Sequence, residues 1–163
     1  MKKNIKCLAA KEGFIDFLSK SLDENKPEKI KDWVQKRLID KNPEVDHEGK
    51  VGFFEAEKEL LLFYLEKGNI DKIKQLFKVF DDFNSEGLKR IQFKIFTDVF
   101  EDKKDLLTNH LEYKHLLKKV VECTFDKLAN KSDADLIAKR SMVQTLLDES
   151  PLLGVDEAGS SAT

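Results

Sequence analysis

Apolar residues recur every three or four positions along most of the chain, and short polar breaks separate these stretches. In the clearest case, residues 66–77, Ile70 and Ile73 begin a stripe that falls on one face of a helix. Gly68 stands where the preceding helix needs a left-handed residue, and Asn69 is a suitable N-cap for the next helix. The pattern therefore predicts two helices joined by a tight turn.

The same periodicity predicts an all-α fold. A helix pair over residues 3–24 is expected to break at Gly13, and Pro27 suits the first turn of the following helix. The turn-forming stretches 42–50 and 82–87 are expected to be exposed loops. The remaining helices are expected over residues 28–41, 53–67, 70–82, 88–100, 113–129 and 133–149, the last opened by a capping box at Ser132.

The polar breaks fall at roughly even intervals, and each contains an aspartate. The aspartates at 16, 71, 105 and 135 are separated by 55, 34 and 30 residues, and the first gap is one unit plus the helix at 28–41. The segments 46–49 and 84–87 also match each other, at a spacing of 38 residues. A unit of this length, built of helix, turn, helix and loop, is typical of stacked helical repeats.

Two segments resemble an ankyrin repeat. Residues 46–56 resemble its start, with Gly49 at the finger glycine, and residues 67–70 resemble the turn between its helices. The sequence Val51-Gly52-Phe53-Phe54 stands where the family has Thr-Pro-Leu-His, and the interval from Gly49 to Gly68 is about two helical turns longer. The resemblance implies stacked antiparallel helical hairpins that form a solenoid and act as a non-enzymatic protein-binding scaffold. A compact helical bundle is the alternative.

Length and composition fit one domain. A chain of 163 residues with 40 % hydrophobic residues can bury a core without metals or disulfides. We expect a single helical domain over residues 1–150, with an inserted helix at 28–41. The small, polar composition of residues 151–163 predicts a flexible tail.

The charge balance limits the classes of partner. The chain has 29 basic and 31 acidic residues, so no electrostatic footprint for nucleic acid follows. No apolar run approaches the roughly 20 residues that a membrane-spanning helix needs. The two cysteines lack any metal-ligand spacing and suit a reducing compartment. We therefore expect a soluble cytoplasmic protein with no membrane insertion.

The sequence contains no catalytic constellation. It has neither the Gly-x-Ser-x-Gly elbow of hydrolases nor a phosphate-binding loop, so no enzymatic activity or cofactor is expected. Residues 82–93 resemble a calcium-binding EF-hand loop, with Asn84, Glu86 and Gly87 at suitable positions. Phe93, however, occupies the twelfth position, where the motif needs a bidentate glutamate. A degenerate EF-hand-like calcium-binding protein is therefore an alternative to the scaffold.

We expect a protein partner to bind through the loops and one helical surface. Tryptophan and arginine are enriched at interface hot spots, which points to the helix at 28–41, and the two loops are expected to project side by side from a rigid base. The candidate partner-binding residues are Trp33, Arg37, Asp46, His47, Glu48, Asn84, Ser85 and Glu86. A second hypothesis is a small effector or regulatory protein that reaches a host cell without an N-terminal signal.

Overall fold

The computed structural model describes residues 2–148, and every regular element in that range is helical. The all-α prediction is confirmed, whereas the tail predicted over 151–163 lies outside the described residues. The α-helices are α1 (Lys2–Asp23), α2 (Pro27–Val34), α3 (His47–Lys67), α4 (Ile70–Asp81), α5 (Glu86–Asp102), α6 (Lys104–Asn109), α7 (Leu111–Cys123) and α8 (Ala134–Asp148). A π-helical turn, Gln35–Ile39, continues α2, and a 3₁₀ turn, Phe125–Lys127, follows α7.

The chain divides into two compact units, an N-terminal unit that ends at Asp82 and a C-terminal unit that begins at Phe83. In the N-terminal unit, α1 packs along α3 and α2 packs against α4, while α1 also contacts α2 and α3 contacts α4. Gly52 of α3 lies against Ala10 of α1, and Phe63 shares a cleft with Ser19 further along both helices. Helices α1 and α3 therefore run in the same direction.

The close approach of α1 and α3 depends on a glycine. A Cβ atom built on Gly52 would lie 2.7 Å from the Cβ of Ala10 and 3.2 Å from the backbone nitrogen of Lys11. Neither atom belongs to a flexible side chain that can move aside. Gly52 therefore allows the two backbones to come closer than any larger residue would.

An aromatic cluster joins the first three helices of the N-terminal unit. The ring of Trp33 from α2 stacks on Phe53 from α3, with centroids 4.4 Å apart and planes 18° apart. Phe14 from α1 meets both rings edge-on, at 5.1 Å and 5.2 Å. Phe53 is completely buried, so the cluster is part of the core.

The turn between α3 and α4 forms as the sequence predicts. Gly68 has a φ of 72°, and its N–H donates to the carbonyl of Leu65. The side-chain oxygen of Asn69 then accepts the N–H of Lys72 at 3.4 Å and caps α4. Glycine adopts this left-handed conformation without steric cost, which explains why the turn can be located from the sequence.

The break predicted at Gly13 is wrong, because α1 continues through it. A glycine inside a helix costs roughly 1 kcal/mol relative to alanine. The packing of Phe14 and Leu18, which follow Gly13 in α1, outweighs that cost. Asp16 therefore lies inside a helix, and the series of polar breaks loses its first member.

Both predicted loops are shorter than expected. Helix α3 begins at His47, because the carboxylate of Asp46 accepts the N–H of Gly49 at 2.8 Å. Helix α5 begins at Glu86, because the hydroxyl of Ser85 accepts the N–H of Leu88 at 3.2 Å. Residues 47–50 and 86–87 are therefore helical, and the two matching segments are helix N-termini rather than fingers.

The C-terminal unit is a bundle in which α5 contacts both α7 and α8. The ring pairs Phe93–Phe125 and Phe100–Tyr113 show that α7 runs opposite to α5. Three ion pairs show that α8 runs in the same direction as α5, namely Arg90–Asp133, Lys94–Asp135 and Lys139–Asp98. Helix α7 ends at Cys123, six residues before the end predicted at 129.

The start of α8 differs from the predicted capping box. The carboxylate of Asp133 accepts the N–H of Asp135 at 2.9 Å, and the carbonyl of Asp133 accepts the N–H of Ile137. Ser132 instead bonds to the side chain of Asn130. Asp133 is therefore the capping residue, one position later than predicted.

Candidate functional site

The two predicted partner-binding residues of the inserted helix lie in different surroundings. Trp33 is half-buried in the aromatic cluster, and its ring stacks on the buried Phe53. Arg37 is half-buried in the π-helical turn, whose end is fixed by a bond from the Gln35 amide to the Asp40 carboxylate. The stacking gives Trp33 a packing role, which the spacing of the sequence leaves open.

Asp46 and Ser85, both predicted to contact a partner, serve as helix caps, because one side-chain oxygen of each accepts a backbone N–H group. His47 is exposed and Glu48 half-buried in the first turn of α3. Asn84 is exposed in the short connection before α5.

Glu86 ties the start of α5 to the connection between α7 and α8. Its carboxylate accepts the N–H of Ala129 at 2.9 Å and the N–H of Asn130 at 3.3 Å. Arg90, one turn further along α5, lies 3.9 Å from the same carboxylate. Glu86 therefore holds a backbone segment of the C-terminal unit in place.

Replacing Glu86 by glutamine is expected to lower the free energy of unfolding by about 1 kcal/mol, because hydrogen bonds to a charged, partly exposed acceptor become neutral ones. Urea denaturation measures the effect. Asn84→Ala is the matched control, since Asn84 is an exposed residue two positions earlier and should leave the midpoint unchanged. Equal losses in the two variants would show that the bonds of Glu86 contribute nothing.

An apolar cleft of about 430 Å³ runs between α1 and α3. Leu60 forms part of its lining from the core, and the more accessible Ile15, Leu62 and Phe63 complete its apolar surface. The Phe63 side chain is 49 % exposed. The cleft therefore presents an aromatic ring to solvent on a base of two packed helices.

Polar groups border this cleft. Glu59, Glu66 and Ser19 complete its lining, and Lys11 donates to the Glu59 carboxylate at 3.1 Å. The Lys67 ammonium lies over the Phe63 ring, 5.7 Å from its centroid. An apolar centre with a charged border is the usual arrangement of a protein-binding surface.

A second cleft, of about 240 Å³, lies in the C-terminal unit between α7 and α8. Its charged lining changes sign along α7, where Lys114 and Lys118 precede Glu122. On α8, Arg140 donates to Gln144, which donates to Asp148. Most of the residues that line this cleft are charged or polar, and none of them is a phenylalanine, tyrosine or tryptophan.

In the segment that resembles an EF-hand, the first acidic residue, Asp82, is paired with lysine side chains of the protein. Lys31 donates to the Asp82 carboxylate at 3.1 Å, and Lys78 lies 3.7 Å from it. The hydrogen bond from Lys31 holds the pKa of Asp82 below its usual value. Among the side chains that the structure describes, no group of three His, Cys, Asp or Glu residues is close enough to hold a metal ion.

Both tyrosines of the chain are buried, each with 4 % of its surface exposed. Burial raises the pKa of Tyr64 to about 12, and the nearby Asp23 carboxylate adds to the effect. Burial also raises the pKa of Tyr113, with a further contribution from Glu112. The folded-state pKa values of both tyrosines lie above the unfolded value of about 10. The stability that the two protonated, buried phenols contribute is therefore fully present below about pH 10 and is lost as the pH rises through their folded-state pKa values.

Ultraviolet titration should therefore show tyrosinate forming at higher pH in the native protein than in the chain unfolded in concentrated urea, which should be about half ionised at about pH 10. Tyr113→Phe leaves Tyr64 as the only phenol, and its midpoint should lie at about pH 12. A native midpoint at the unfolded value would contradict the burial of both rings.

The cleft between α1 and α3 is not among the contact surfaces predicted from the sequence. Periodicity assigns Phe63 to the apolar face of its helix, because Phe63 lies three residues after the buried Leu60. The surplus of apolar residues over 60–65 is the one available signal, since a single stripe cannot bury all of them. Which of them stays exposed depends on the position of α1.

No protein-family model matches the chain, and neither a curated protein nor a solved structure shows significant similarity to it. No helix in the part of the chain that the structure describes is long and apolar enough to cross a bilayer.

Proposed function

We propose that the protein is a non-enzymatic protein-interaction module whose partner binds in the cleft between α1 and α3. The observation that carries this proposal is the Phe63 ring, half exposed in a cleft that Ile15 and Leu62 make apolar. Single exposed apolar residues are common on protein surfaces, but an exposed aromatic ring in an apolar concavity is typical of a binding hot spot.

The two helices that form the cleft pack closely about two turns before its lining begins on α3, which favours binding without rearrangement. The two backbones meet closely at Gly52, and the neighbouring Phe53 is fixed in the aromatic cluster. A partner that docks on a rigid surface does not have to order it, which saves part of the entropic cost of association.

The packing of the N-terminal unit supports a further proposal, that α1/α2 and α3/α4 are successive hairpins of a stacked array. The first helices of the two hairpins pack together and run in the same direction, and the second helices pack together as well. This is the arrangement that the ankyrin-like resemblance implies. In the C-terminal unit, α5, α7 and α8 follow the pattern of the alternative, a helical bundle.

The proposal places the contact surface on helix faces, whereas the sequence favours loops and the inserted helix. Asp46, Ser85 and Glu86 bond to backbone N–H groups, and Trp33 packs on Phe53. Substitutions at these positions are therefore expected to act first on stability.

Phe63→Ala is expected to abolish capture of the partner without lowering the melting temperature by more than a few degrees, because about half of the side chain is already exposed. Quantitative affinity capture from a lysate of the source cells, with wild type and variant in parallel, measures the effect. Ile137→Ala is the matched control, since Ile137 is 48 % exposed on α8 and lines neither cleft. Proteins retained equally by all three baits would refute the proposed surface.

A further inference from the structure

We propose that the occupant of the α1–α3 cleft is an amphipathic helix of the partner that carries lysine or arginine residues beside its apolar anchors. This inference rests on the proposed function and specifies the partner of the same cleft. It follows from the shape of the cleft and from the charges around it.

The shape favours a helix. On α3 the lining extends from Glu59 to Glu66, a distance of about 10 Å at a rise of 1.5 Å per residue. The groove between two parallel helices accepts the side-chain ridge of a third helix, whose anchors recur at three- and four-residue spacing over two to three turns. Addition of a strand would need an open sheet edge, and residues 2–148 contain no strand.

The charges favour a basic occupant. Both charged residues that line the cleft, Glu59 and Glu66, are acidic. On α3 they share one helical face with Leu62 and the exposed Glu55, because these positions are spaced by four, three and four residues. Lys11 pairs with Glu59, but 56 % of the Glu59 side chain stays exposed, so its carboxylate is still accessible.

Lys67 gives the bound helix a preferred placement. Its ammonium lies over the Phe63 ring at the C-terminal end of the cleft, where it repels a second cation. The basic residues of the occupant are therefore expected beside Glu55 and Glu59, and an apolar anchor beside Phe63.

Selection of random peptides on the full chain tests this inference, with the Phe63→Ala variant selected in parallel. The expected binders are enriched in lysine or arginine next to apolar residues at helical spacing, and synthetic copies gain helicity on binding by circular dichroism. We expect their affinity to fall about tenfold on Phe63→Ala, and also to fall as salt is raised.

Exchanging the charges of the peptide and of the cleft distinguishes a loss of recognition from misfolding of the variant. Replacing the lysines of a selected peptide by glutamates should weaken its binding to the wild type, and the Glu55→Lys, Glu59→Lys double variant should restore it. Binders that require Phe63 but bind extended, or ignore the charge exchange, would overturn this inference and leave the proposed function intact. If no selected peptide requires Phe63, both proposals fail.

Discussion

Replacing Trp33 by alanine is expected to lower the free energy of unfolding by about 2–3 kcal/mol. Truncation of a fully buried tryptophan typically costs about 3–5 kcal/mol, and the half-buried position of Trp33 reduces that value. The loss arises because the indole stacks on Phe53 and meets Phe14 edge-on, and both contacts disappear together.

Trp33→Phe is the control, because a smaller ring can keep part of the stack and should cost less than the alanine variant. Urea denaturation followed by far-ultraviolet circular dichroism suits all three proteins, since Trp33 is the only tryptophan and its fluorescence is lost in both variants. If Trp33→Ala had the urea midpoint of the wild type and bound the partner more weakly, the result would support the prediction that Trp33 is a contact residue.

Replacing Gly52 by alanine is expected to destabilise the protein by up to about 2 kcal/mol, although alanine is the better helix former. The added methyl group would lie 2.7 Å from the Cβ of Ala10, so α1 and α3 must move apart. Overpacking of this kind costs about 1–3 kcal/mol, and the gain in helix propensity of roughly 1 kcal/mol offsets part of it.

Gly13→Ala is the matched substitution with the opposite expected sign. Gly13 lies in the interior of α1 and is exposed, and a methyl group added to it would meet no neighbouring side chain or helix within 4 Å. The variant should therefore gain about 0.5–1 kcal/mol from helix propensity alone. Thermal or urea unfolding shows whether each substitution raises or lowers the free energy of unfolding. Stabilisation by both would contradict the close contact of α1 with α3.

The helices could be predicted from the sequence where local chemistry marks their ends. The turn at 68–69 combines a glycine that favours the left-handed region with an asparagine that caps, and both act within a few residues. The ends at 46 and 85 carry the same kind of signal. There, however, Asp46 and Ser85 stand among other turn formers, so the same residues also fit the loops that the sequence predicts.

The continuity of α1 could not be predicted locally. Gly13 favours a break, and the contacts of Phe14 with other helices, together with the burial of Leu18, overcome that preference. The evenly spaced aspartates are equally ambiguous, since Asp16 lies inside a helix while Asp71 and Asp135 lie in the first turns of theirs.

The candidate site shows the same limit. Trp33 and Phe63 both occur at helical spacing among apolar neighbours, so periodicity alone predicts burial in the core for both. Stacking on Phe53 withdraws Trp33 from solvent, whereas the space beside α1 leaves Phe63 half exposed. Exposure of an apolar residue is decided by which helix lies next to it.

The sequence by itself determined that the chain is helical, where most helices lie and how the turn at 68–69 is made, because periodicity, capping and glycine conformation act over a few residues. The tertiary structure alone decided that α1 is continuous, that α3 lies against it at Gly52, and that Phe63 faces a cleft. Those features depend on contacts between residues about 40 positions apart, and no local pattern records which helix will supply them.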